Sequence, residues 1–134
     1  MNIINKKFSP DELSKIYQIE PFMGDIKDLS IYNDTYGFNI QQFYNNGTLV
    51  GYAAIFLGYN GLVSSDASIE DIAFWQGTPE ELNTFLKMVL SAQDYSIDIK
   101  NIYYDPEHFA ESICEDLNRL GYKEKSRVRW LTME

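Results

Sequence analysis

The sequence predicts an α/β (α+β) fold in which a mixed central sheet carries helices on both faces. Three observations predict it. Two aromatic-rich apolar runs, residues 38–44 and 48–57, flank Asn45-Asn46-Gly47, and Asn and Gly tolerate the positive φ that a tight hairpin turn requires. The second run, from Leu49 to Leu57, is nearly continuous in apolar character, as a strand covered on both faces should be. Farther along, strand-like stretches alternate with stretches that open on helix-capping residues, an order that implies a sheet between layers of helix.

Taken in chain order, residues 2–8 read as a short strand. Ser9-Pro10-Asp11-Glu12 then opens a helix, with Ser9 as N-cap, Pro10 at the first helical position and Glu12 closing a capping box. Leu13, Ile16, Tyr17 and Glu20 continue it, and Pro21 ends it. A second helix is expected over residues 25–32, with Asn33-Asp34 and Gly37 marking a loop. After the hairpin, residues 59–68 read as loop and residues 69–75 as a strand. Thr78-Pro79-Glu80-Glu81 repeats the capping chemistry, and Leu82, Phe85, Leu86, Val89 and Leu90 put one apolar stripe on a helix expected to end near Gln93. Residues 97–104 read as a strand. Asp105-Pro106 is expected to open a last helix carrying Phe109, Ile113, Leu117 and Leu120, stopped by Gly121, before a final strand over residues 122–133.

Composition narrows the function classes. The chain has 134 residues, a length that suits one domain over residues 1–134. Its net charge of −9 repels nucleic acid and anionic membranes at long range, so neither is an expected partner. Between Lys27 and Lys87 there is no cation, while Asp28, Asp34, Asp66, Glu70, Asp71, Glu80 and Glu81 fall in that stretch. Cys114 is the only cysteine, which excludes an intrachain disulfide and a cysteine-rich zinc site, and no metal site is expected. The polar start and the lack of a long apolar run predict a cytoplasmic protein. His108, the only histidine, is expected to face solvent from the first turn of the last helix and receives no role. Lys123, Lys125, Arg127 and Arg129 alternate, so they project to one face of the last strand.

Three motifs carry a family resemblance. Asn46-Gly47-Thr48-Leu49-Val50-Gly51-Tyr52-Ala53 pairs a turn with an "hxGhxxh" strand, h being apolar. Ile69-Glu70-Asp71-Ile72-Ala73-Phe74 precedes a helix, and Leu117-Asn118-Arg119-Leu120-Gly121-Tyr122 precedes a strand ending in Leu131-Thr132-Met133-Glu134. Together with the order of elements, these make most of the chain resemble the GNAT superfamily of acyl-CoA N-acyltransferases. The resemblance implies acyl-CoA binding along Ala73, Phe74, Trp75, Gln76 and Gly77, a carboxylate base at Glu70 or Asp71, and a tyrosine as general acid.

The chain departs from that family at two places. Active members join strand to helix by an R/Q-x-x-G-x-G/A loop, whose amides hold the CoA pyrophosphate at the helix N-terminus. Here Gln76 and one glycine lead straight into Thr78-Pro79-Glu80-Glu81, where a proline, a cap and two glutamates oppose an anion. The general acid of many members lies four residues before the Gly of their "GF" pair, and that position is Leu117, leaving Tyr122, Tyr103 or Tyr104 as substitutes. The expected function is therefore a GNAT-like binding or regulatory module without ordinary acetyl-CoA chemistry and with no required cofactor. Its partner would be an unassigned small molecule or protein. The alternative is a divergent acyl-CoA-dependent N-acyltransferase acting on a cationic amine such as a polyamine or aminoglycoside. Phe43, Tyr44 and Tyr52 offer an aromatic surface for a homodimer.

Overall fold

A computed structural model describes residues 1–58, 65–92 and 99–125. The elements in order are β1 (Asn2–Asn5), α1 (Pro10–Ile16), a 3-10 turn (Ile26–Asp28), α2 (Leu29–Asp34), β2 (Phe38–Asn45), β3 (Thr48–Leu57) and β4 (Asp66–Phe74). They are followed by α3 (Pro79–Leu90), β5 (Asn101–Tyr104), α4 (Glu111–Leu120) and β6 (Lys123–Glu124). The six strands form one sheet whose spatial order equals their chain order. β1 to β4 are antiparallel neighbours, whereas β5 and β6 join in parallel, each through a crossover that contains a helix. The mixed sheet of the α+β class is thus present.

Helices cover both faces. On one, Phe85, Leu86 and Val89 of α3 and Leu117 of α4 pack on Phe43, Ala53, Ile55, Ile69, Ile72 and Phe74. Phe43 stacks on Phe85 with ring centroids 4.9 Å apart. On the other, Ile16 of α1 and Leu29 of α2 pack with Phe8 on Ile40, Tyr52, Ala54 and Ala73. The near-continuous apolar run of β3 follows from this double cover. The same burial removes the aromatic surface expected for a homodimer: Phe43 and Tyr52 are fully buried inside the chain, and the Tyr44 hydroxyl donates to Gln42 Oε1 at 2.8 Å.

The local chemistry read from sequence is realised at both capping boxes. Ser9 Oγ accepts from the Glu12 amide while Glu12 Oε1 accepts from the Ser9 amide, and Thr78 and Glu81 repeat the exchange. The hairpin turns on Asn46 and Gly47, at φ 53° and 79°, with Asn45 opposite Thr48. α1 stops at Ile16, and the helix expected over residues 25–32 is a 3-10 turn running into α2. There Asn33, expected in a loop, is buried and clamps Phe8 by both its backbone groups.

Three expectations need correction. β4 begins at Asp66, three residues earlier than predicted. Asp105-Pro106 does not open the last helix: the Asp105 carboxylate accepts from the Glu107 amide and its carbonyl from His108, closing a separate turn, so α4 begins only at Glu111. A short polar side chain that bonds its own backbone competes with the helix in this way. α3 ends at Leu90 with Ser91 as its cap, short of the end expected near Gln93. The predicted loop at 59–64, residues 97–98 of the fifth strand, Arg127, Arg129 and the ending 126–134 lie outside the described residues. Among those described, no helix is long and apolar enough to cross a membrane.

Candidate functional site

β4 pairs with β5 only through Asp66–Ile69, opposite Asn101–Tyr104, and beyond that point continues to Phe74 paired with β3 but not with β5. A β-bulge sits where the pairing ends: Ile55 faces Ile69 and Ala54 faces Asp71, so Glu70 is the extra residue. Side chains alternate along a strand, and without the bulge Asp71 would follow Ala67 and Ile69 into the α3 and α4 core. The bulge instead sends Ile72 there and turns Asp71 to the other face, beside Tyr52.

The exposed edge of β4 does not stay bare. Met23 forms an isolated antiparallel bridge to Phe74, accepting from the Phe74 amide at 3.1 Å. Gly24, at φ +84°, lies so close that an added Cβ would fall 1.8 Å from the Ile72 carbonyl oxygen. Phe22 lays its ring edge-on to Phe74 at 5.4 Å. Residues 22–24 thus form a strap along the edge, and Gly24 is required both for its φ and for its lack of a side chain.

Between strap and α4 lies a cleft of about 570 Å³, within the roughly 300–1,000 Å³ usual for small-molecule sites. Asp25, Asp28 and Asp71 supply its charge, Phe22, Tyr32 and Phe109 its aromatic walls, and His108, Ser112 and Ile113 its far side. None of its lining residues is Lys or Arg. The start of α4 takes part in the lining with Ala110 as N-cap, which offers no side-chain cap.

Asp71 is the buried charge of the site, 7% exposed. Tyr52 donates its hydroxyl to Oδ2 at 3.1 Å, and the Ile72 amide, on the strand edge that β5 leaves unpaired, donates to Oδ1 at 2.9 Å. Burial pushes the carboxyl up to about 6, although these two hydrogen bonds and His108 oppose the shift. Burial and then the charge of Asp71 likewise raise the Tyr52 phenol. Tyr32 is lifted to about 12, by burial first and then by Asp71, Glu70, Asp28 and Asp25, a sign of how negative the cleft is.

The other residues singled out in the sequence fall elsewhere. Glu70 does not line the cleft; its Oε2 lies 3.7 Å from Lys125 Nζ. Tyr122 is buried in the α3 and α4 core and donates its hydroxyl to the Leu86 carbonyl at 2.7 Å, so it is not brought together with Asp71. Tyr104 is buried in that same core. Ala73 and Phe74 are buried, and Trp75 donates its indole N–H to the Leu49 carbonyl at 3.1 Å. Gln76 and Gly77 are exposed. At the start of α3, Thr78 and Glu81 have their amides taken by the capping box, Pro79 has none, and Glu81 is held in place by Asn45. Only the Glu80 amide remains there, at a helix start that carries the two acidic residues Glu80 and Glu81.

Sequence reasoning missed His108, Tyr32, Asp25 and Tyr52 as site residues. One signal was available: a tyrosine in a doubly covered strand must find a partner for its hydroxyl, and for Tyr52 that partner is Asp71. No group of three or more metal-ligating side chains suited to a metal ion occurs among the described residues. No family model and no curated protein matches the chain.

Proposed function

We propose that this is a GNAT-like domain acting as a binding or regulatory module without ordinary acetyl-CoA chemistry, and that its ligand is a small organic cation held in the cleft at Asp71. The observation that carries the reading is the lining of that cleft: three aspartates, aromatic walls and no Lys or Arg. The Asp71 carboxylate accepts from the Tyr52 hydroxyl and the Ile72 amide but has no ion-pair partner among the described residues, so its lost hydration is only partly replaced, and an ammonium ion supplies the missing countercharge. At 4 Å, and at the dielectric suited to protein sites, such a pair attracts by about 4 kcal/mol before desolvation is counted. The rings of Phe22, Tyr32 and Phe109 suit the apolar body of such a cation and its charge.

Acyl-CoA suits the arrangement poorly. The start of α3 satisfies itself and carries Glu80 and Glu81 where a diphosphate would need free amides. The edge of β4 that a pantetheine arm would follow is taken by Met23 and Gly24. Isothermal titration separates the readings: micromolar binding of acetyl-CoA or a longer acyl-CoA would sink the proposal. Saturable binding of an arylalkyl or polyamine cation, lost in Asp71→Asn, supports it.

One observation favours the alternative, an acyl-CoA-dependent N-acyltransferase acting on a cationic amine. A carboxyl raised to about 6 is suited to take a proton from an ammonium group near neutral pH. Release of CoA with any member of an amine panel would establish that reading over the first.

A further inference from the structure

We propose that the cleft is a proton-controlled cation site, holding an organic cation while the Asp71 carboxylate is ionised and releasing it when that carboxylate takes up a proton. The inference rests on the cation reading above and adds a control to it. The geometry that carries it is the isolation of a deeply buried acid. Asp71 reaches only Tyr52 and the Ile72 amide, and the ion pairs among the described residues, Arg119 with Asp116 and Lys125 with Glu70, leave it out.

The groups facing Asp71 come from every surrounding element. β3 contributes Tyr52, the cap of the 3-10 turn Asp25, and that turn and α2 contribute Asp28 and Tyr32. Glu70, its neighbour on β4, is turned to Lys125, and the turn before α4 contributes His108. Lys27 lies on the same 3-10 turn as Asp28 but does not line the cleft. His108 is therefore the one lining residue able to carry positive charge, and it stands at the exposed rim.

Ionising Asp71 adds a third carboxylate to a cleft that already holds Asp25 and Asp28, in a site that disfavours charge. A cation and a proton then compete for one carboxylate. Because burial lifts this carboxyl to about 6, Asp71 carries its charge above that pH and loses it below. Cation affinity is expected to be level above about pH 7 and to fall about tenfold per pH unit well below the midpoint, as one-proton linkage requires.

Two measurements on the intact chain test this. Carbon NMR of the Asp71 carboxyl follows its titration without ligand, and calorimetry with 2-phenylethylamine follows binding from acid to mildly alkaline pH. The expected result is a midpoint near 6 in the first and the matching fall in affinity in the second. His108→Gln alters the rim of the cleft and is expected to change the affinity itself while keeping its fall with pH, and Asp71→Asn is expected to lose binding at every pH. Titration of Asp71 in the ordinary carboxylate range overturns the control and leaves the cation reading standing. Absence of binding at alkaline pH overturns both. Loss of the pH dependence in His108→Gln assigns it to the histidine and overturns the proposal. The NMR titration uses the wild-type chain, so the control stays testable even if a variant fails to fold.

Discussion

Asp71 illustrates how one residue can cost stability and still be retained in a fold. Its carboxyl is held near 6 against an ordinary 3.8, so between those values the folded chain binds more protons at this site than the unfolded chain does. Stability from this group therefore falls as pH rises from about 4 through about 6, and stays low above. Asp71→Asn keeps the shape and an acceptor for the Ile72 amide, turns Tyr52 from donor to acceptor at the other position, and removes the charge. It is expected to stabilise the chain by on the order of 2 kcal/mol at pH 8, with a gain that shrinks toward pH 4, as measured by urea unfolding at both. A purely structural Asp71 would instead make the substitution neutral or harmful at every pH. The sequence marked Asp71 as a candidate beside Glu70, but nothing in the letters separates the two. The bulge does, by turning one into the cleft and leaving the other to Lys125. His108 is exposed, as expected, but not in a helix starting at Asp105; the Asx turn that replaces this helix puts it at the rim of the cleft.

At the scale of the element, sequence was most readable where chemistry is local. Both capping boxes and the Asn46-Gly47 turn depend on residues within four positions of one another, and all three form as read. Elements fixed by distant partners were less readable. The strap over β4 has no periodicity and no cap; it is defined by contact with Phe74 and Ile72, some fifty residues on. The start of α3 also gives a direct test of its self-sufficiency. Thr78→Ala removes the acceptor for the Glu81 amide and is expected to cost about 1 kcal/mol, read as a lowered melting temperature. If the Thr78 side chain instead served a bound anion, the loss would appear only when that anion was present.

For the whole molecule, the class was readable because β3 shows its double cover and because capped helices alternate with strands. Which side of the sheet each helix takes was not, since it follows from side-chain alternation that two bulges reset, at Val50 on β3 and at Glu70 on β4. Charge patterning was informative at this scale too. The cation-free middle of the chain, between Lys27 and Lys87, supplies Asp28 and Asp71 to the cleft, and only Asp25 comes from outside it.

The agreement of strand order with chain order has a consequence for how the molecule is built. Each strand docks only on those next to it in sequence, so assembly has a direction. The antiparallel half closes first at the two-residue turn between β2 and β3, where little chain entropy is lost. β5 and β6 must each wait for a helix to bring the chain back across a face. Loop-closure cost thus ranks the strands, and the cleft, bounded by β4 on one side and α4 on the other, is finished last. Pulse-labelled hydrogen exchange during refolding should find the amides of β2 and β3 protected before those of β5, and simultaneous protection would contradict a directional assembly. A chain emerging from its N-terminus would then hold a formed meander while its binding site was still incomplete.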